Sequence, residues 1–143
     1  MAAPPSNTIL HAALKRYVAN GHEDNTMELL KLFGEKSCTV LLEVRAGANG
    51  QFETPEFATA MDPELGPTVW VYTTTAELPK QEGGIAVLTC TVLDLMGDLL
   101  KGDDVGVVFD PRSDHAVYFR WDGPKWVVRS VLRLRAEKRA HLN

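Results

Sequence analysis

Cysteine is scarce in this chain, with Cys38 and Cys90 the only two among 143 residues. They stand far apart, each inside an apolar β-like stretch, without the CxxC or Cys/His spacing that builds a zinc site. Two buried thiols in a reducing compartment are expected, with a disulfide as the alternative. Long apolar runs are also missing, since none approaches the roughly 18 residues that a membrane span needs. The opening Met1-Ala2-Ala3-Pro4-Pro5-Ser6-Asn7 lacks the charged and apolar regions of a secretory signal. Residues 1–7 therefore read as a flexible leader to one domain over 8–143, in a cytoplasmic protein.

Catalytic signatures are absent as well. His11, His22, His115 and His141 show no HxxxH or HExxH spacing, which would place two imidazoles on one helical face. His22-Glu23-Asp24 looks like a polar triad, but adjacent side chains diverge, and the segment reads as a loop and helix cap. Ser6, Ser37, Ser113 and Ser130 lie outside any GxSxG elbow. No GxGxxG or Walker loop opens a helix after a strand. The expectation is a non-enzyme with no catalytic, cofactor or metal site.

What is present is an ordinary globular composition, 45% hydrophobic and 24% charged. The net charge of −4 hides a split. Residues 1–119 hold 8 Lys and Arg against 17 Asp and Glu, whereas residues 120–143 hold 7 against 2. An acidic body repels a phosphate backbone, so the pattern favours a protein partner or a homodimer over nucleic acid. A solvated surface would look the same.

Hydrophobic spacing predicts an α+β (loosely α/β) fold, a mixed β-sheet covered by helices with an N-terminal helix pair and a C-terminal hairpin. Leu10, Ala13, Leu14, Tyr17 and Val18 mark a helix capped by Thr8 and stopped at Asn20-Gly21. A second helix begins near Asp24 to Thr26, with Met27, Leu30 and Phe33 inward and Gly34 closing it. Strands are expected at Cys38–Val44, Val69–Thr73, Ile85–Cys90, Val105–Phe109 and Ala116–Trp121. Thr91 with Asp94 resembles a capping box for a helix running on towards Leu100. Residues 126–134 fit both periods and are read as strand, paired through the Asp122-Gly123 turn. The Ala-, Arg-, Glu- and Lys-rich tail predicts a short terminal helix.

Asp110-Pro111-Arg112-Ser113-Asp114 is the most pointed polar stretch, directly after a buried strand. Asp-Pro and Ser-Asp are routine turn residues, so a turn is favoured over a ligand pocket between Asp110 and His115.

Three segments resemble the N-terminal domain of SseB-family proteins, named for enhanced serine sensitivity. The resemblance rests on Asn25–Phe33 with Cys38–Val44, on Val71-Tyr72-Thr73-Thr74-Thr75-Ala76-Glu77-Leu78, and on Val107-Val108-Phe109-Asp110-Pro111-Arg112-Ser113. It covers residues 8–115, with Asp110 standing where the pattern has Asn. It implies an α/β module found near bacterial secretion and toxin loci, with no catalytic residues to carry over.

Together these readings point to a bacterial protein-binding module. Its first form is an immunity protein whose acidic body takes a basic toxin. Its anchors would be Phe52 and Phe57 beside Glu53 and Glu56, on the Gly- and Pro-rich connection over 45–67. Its second form is a secretion accessory or chaperone-like factor using Trp121, Trp126, Arg129 and Arg133 on an acidic partner. A small-ligand-binding domain or enzyme near Asp110 is the third.

Overall fold

The structure, a computed structural model, describes residues 7–35, 38–45, 56–57, 59–78, 85–95, 105–122 and 125–142. Helix α1 (Thr8–Ala19) buries Leu10, Ala13, Leu14 and Tyr17, the stripe its spacing predicts. Its cap is Asn7 rather than Thr8, because the Asn7 Oδ1 accepts the Leu10 N–H at 2.9 Å. The stop at Asn20 needs no left-handed residue, as Asn20 is extended and its carbonyl accepts the Asn25 Nδ2 at 2.7 Å.

Helix α2 (Glu23–Phe33) is capped by His22, whose Nδ1 accepts the Asp24 N–H at 3.3 Å. Its inner face differs from the expected one. Leu29 and Phe33, at i and i+4, are buried, while Met27 is 58% exposed. Leu29, Leu30, Leu32 and Phe33 are all apolar, so sequence alone leaves the helix phase ambiguous.

The chain continues as β1 (Thr39–Arg45), β2 (Glu56–Phe57), β3 (Thr59–Asp62), β4 (Gly66–Tyr72), a 3-10 turn (Thr75–Glu77) and β5 (Ile85–Thr91). It closes with α3 (Val92–Asp94), β6 (Gly106–Phe109), β7 (Val117–Asp122), β8 (Lys125–Ser130) and α4 (Val131–Leu142). The Thr91 Oγ1 caps α3 by accepting the Asp94 N–H at 3.1 Å; residues 96–100 lie outside the described residues. All eight strands among the described residues join one mixed sheet, in the order β2-β1-β4-β6-β7-β8. β5 runs along the other edge of β1, and β3 pairs with β4. The expected α+β class is the observed one.

β1 and β4 pair only at Leu41↔Tyr72 and Leu42↔Val71. Beyond that point β2 takes the edge of β1 and β3 takes the edge of β4. The connection over 45–67 is thus partly sheet. β4 and β6 form the one parallel pair among the described residues.

The strand expected over 126–134 ends early, at Ser130. Val117↔Ser130 is the last register pair with β7, and the next amide, Val131 N–H, donates to the Ala116 carbonyl at 3.0 Å. With no partner strand beyond Val117 the ladder cannot continue, so the ambiguous sequence becomes helical from Val131.

Period-2 alternation gives the sheet two apolar faces. One carries Val40, Leu42, Val44, Val69, Val71, Val107, Phe109, Val117 and Phe119 against α1 and α2. There Phe33 stacks on Phe109 at 5.2 Å and meets Phe119 edge-on at 4.4 Å. The opposite face carries the smaller cluster of Val108, Ala116 and Tyr118, covered by Val131 of α4. Among the described residues, no helix is long and apolar enough to cross a membrane.

Candidate functional site

Adjacent parallel strands end side by side, and the carboxyl ends of β4 and β6 bring Thr73 next to Asp110. Such strand ends are where open α/β sheets collect functional groups. Asp110 has φ 48°, the left-handed region that Asp tolerates better than most residues. Its own N–H still extends the ladder, donating to the Val71 carbonyl at 2.8 Å. Its side chain, fully buried, turns back across the strand gap. There Oδ1 accepts the Thr73 N–H at 2.8 Å and Oδ2 accepts the Thr73 hydroxyl at 2.6 Å. The following turn is the one the sequence favoured: the Asp110 carbonyl accepts the Ser113 N–H at 3.0 Å and the Ser113 hydroxyl at 2.7 Å.

That turn also delivers His115, buried, with Nε2 2.9 Å from Asp110 Oδ2. Two further groups arrive from distant sequence. His11 comes from α1, its ring centroid 4.4 Å from that of His115 at 71°. Glu77 comes from the 3-10 turn after β4, its Oε1 3.4 Å from His11 Nε2 and 3.8 Å from His115 Nε2. One ligand atom from each of His11, Glu77, Asp110 and His115 falls within 4.8 Å of the other three. A cleft of about 450 Å³ opens beside His115, lined by Lys15, Val18, Ala19, Ser113 and Asp114. Sequence reasoning recognised the Asp110–His115 stretch but not its partners. Glu77 falls within the quoted 71–78 segment and His11 on the predicted first helix, yet no local spacing links them.

A second concavity, about 400 Å³, lies on the thin face of the sheet. Leu65, Tyr118, Val127 and Leu134 give it apolar walls, and Arg120, Arg129 and Lys138 make it basic. Arg129 is ion-paired with Glu137, and the Lys138 ammonium donates to the Glu64 carbonyl. Arg135, on the same helix, reaches the same β3–β4 turn. Its guanidinium donates to Asp62 Oδ2 at 2.7 Å and Glu64 Oε1 at 2.8 Å. This fork holds the Asp62 carboxyl down to about 2 from its ordinary 3.8 and pushes the Arg135 guanidinium up.

The expected contact residues distribute unevenly. Phe52 and Glu53 lie outside the described residues. Glu56 and Phe57 form β2, opposite Arg45 and Val44 of β1. Trp121 and Trp126 are cross-strand partners in the β7–β8 hairpin. Arg129 lines the basic groove, whereas Arg133 is exposed and its Nη1 approaches Gly21. Arg135 locks α4 to the β3–β4 turn instead of joining an open basic patch. Cys38 and Cys90 are both free, and burial pushes the Cys90 thiol up to about 11.

No known protein family, curated protein or solved structure matches this chain.

Proposed function

We propose that this domain is a protein-binding module that receives an acidic, partly apolar segment of its partner in the groove between the β7–β8 hairpin and α4. The observation that carries this reading is the groove itself, in which apolar walls from Leu65, Tyr118, Val127 and Leu134 sit beneath Arg120, Arg129 and Lys138. Tyr and Arg are over-represented among residues that dominate binding energy. A basic rim speeds encounter with an acidic partner and fixes its register. The SseB-like resemblance belongs to this proposal and supplies its setting, a bacterial cytoplasmic factor working beside secreted effectors.

The test is purification of the partner at native abundance, followed by measurement of the reconstituted complex. Arg129→Glu with Lys138→Glu should weaken it at least tenfold while leaving the fold intact. A complex of unchanged affinity removes the groove from the interface.

The immunity-protein form of the same reading turns the molecule around and offers its acidic body to a basic toxin. Met61 favours it, standing 75% exposed on β3 within the connection over 45–67. Asp62 and Glu64 are already engaged by Arg135, so the attraction would fall to the other acids, Glu53 and Glu56 among them. Met61→Asp should speed dissociation of such a complex; a partner that ignores this change but is lost with Arg129→Glu belongs to the groove.

A further inference from the structure

We infer that His11, Glu77, Asp110 and His115 form a binding site for a first-row divalent transition metal, with zinc the ion that best fits the donor set. Two imidazole nitrogens are borderline donors that zinc, cobalt and nickel prefer and magnesium or calcium seldom take, and two carboxylate oxygens complete a set that zinc accepts. The four residues come from α1, the 3-10 turn and the β6–β7 turn, none close to its neighbour in sequence except Asp110 and His115. Their convergence therefore reflects tertiary structure rather than a local polar loop.

Geometry supports the assignment. Zinc lies about 2.0–2.2 Å from nitrogen and oxygen ligands, so a tetrahedral set has ligand–ligand edges of about 3.3–3.6 Å. Here three edges measure 2.9 Å (His115 to Asp110), 3.4 Å (His11 to Glu77) and 3.8 Å (His115 to Glu77). All four atoms lie within 4.8 Å of one another. These three contacts lie within about 0.5 Å of a tetrahedral edge, and the remaining pairs, bounded by 4.8 Å, would close on one ion by side-chain adjustment.

Charge points the same way. With neutral imidazoles the cluster carries two carboxylate charges in a pocket where Asp110 has no exposure and the His115 side chain only 8%. A divalent cation would balance that charge where water does so poorly. The surroundings also supply the outer shell that ordered metal sites use. Thr73 donates its N–H and hydroxyl to Asp110, fixing that carboxylate before any ion arrives. His11 and Glu77, with side chains 22% and 23% exposed, form the more open side through which an ion would enter.

The competing account is a purely structural hydrogen-bond network. Among the described residues no buried side-chain nitrogen or oxygen lacks a partner, so the network closes without an ion. The two accounts part on what added zinc does. With four protein ligands, the site would be a closed structural one, clamping α1 and the β6–β7 turn to the strand ends.

The experiment uses the full chain stripped with EDTA, then titrated with zinc ion alone by calorimetry and equilibrium dialysis. One equivalent should bind, and free zinc at about 100 times the Kd should raise the Tm by roughly 5–10 °C. Cobalt in place of zinc should give the visible absorption of a tetrahedral site. His11→Ala and His115→Ala should each weaken zinc by more than about 100-fold, and Thr73→Val by about 10–100-fold, the range for outer-shell losses. His22→Ala, which removes an exposed imidazole 3.7 Å from Asp24, should leave zinc affinity unchanged, whatever it costs α2 as a lost cap. If His115→Ala does not fold, His11→Ala decides, since its side chain is partly exposed on α1. Absence of stoichiometric binding, or binding that His11→Ala leaves unchanged, overturns the assignment in favour of the hydrogen-bond network.

Discussion

The two faces of the sheet are built from the same strands and differ in how they are closed. The face under α1 and α2 holds a continuous core from Leu10 to Phe119, with three phenylalanines in mutual contact. Under α4 a smaller cluster of four buried residues, Val108, Ala116, Tyr118 and Val131, leaves a groove open beside it. Beside α4 the described residues leave a concavity in which apolar walls meet arginine and lysine. The first face carries the main core, and the recognition proposed above belongs to the second. Four substitutions can break or sharpen that division.

The largest effect should come from Phe109→Ala. It empties a fully buried position at the centre of the aromatic contacts and should cost about 3–5 kcal/mol, read as the shift in urea midpoint multiplied by the m-value. A loss below about 1 kcal/mol would show that the α1/α2 face is less tightly packed than described.

Gly106→Ala probes the thin face. A Cβ there would sit 2.4 Å from Tyr118 Cε2, so the buried ring must move towards the groove. The expected cost is about 1–3 kcal/mol, with a shift of the Tyr118 ring resonances in the NMR spectrum. Unchanged stability would mean that the ring moves freely and the groove wall is soft.

Arg135→Met removes the fork that ties α4 to the β3–β4 turn and should cost about 1–2 kcal/mol near neutral pH. Its pH signature is more specific. The Asp62 carboxyl is held at about 2 against an ordinary 3.8, so between those values the unfolded state binds more protons than the folded one. The contribution is therefore complete above about pH 4 and is lost as pH falls towards 2. Denaturant titrations across that window should show a steeper acid loss for the parent than for Arg135→Met. Parallel curves would place the acid sensitivity elsewhere.

Sequence legibility followed the range of the interactions that decide each feature. β1, β4, β5 and β6 were readable because a short apolar run between breakers has few alternatives. The stripe on α1 was readable because Lys15 and Arg16 mark its outer side. The phase of α2 was not, since Leu29, Leu30, Leu32 and Phe33 offer two apolar faces and only packing against the sheet selects one. The switch from strand to helix at Val131 depends on where β7 begins, a partner's boundary that residues 126–134 do not encode. The Asp110 cluster follows the same logic. Its turn is local and was legible, while Glu77 arrives through the parallel pairing of β4 with β6 and His11 through α1, whose start is tied to the end of β4 by the Asn7 N–H donating to the Thr73 carbonyl at 2.7 Å.

The smallest effect on stability, and the most direct test of the account, is Arg129→Glu. Arg129 lines the groove and pairs with Glu137 at a solvent-exposed site. Its reversal should therefore change unfolding free energy by no more than about 0.5–1 kcal/mol. The reconstituted complex with the native partner should nevertheless weaken at least tenfold and become less sensitive to salt. A folded Arg129→Glu protein that binds its partner as tightly as the parent, with the same salt dependence, would contradict the assignment of recognition to this face.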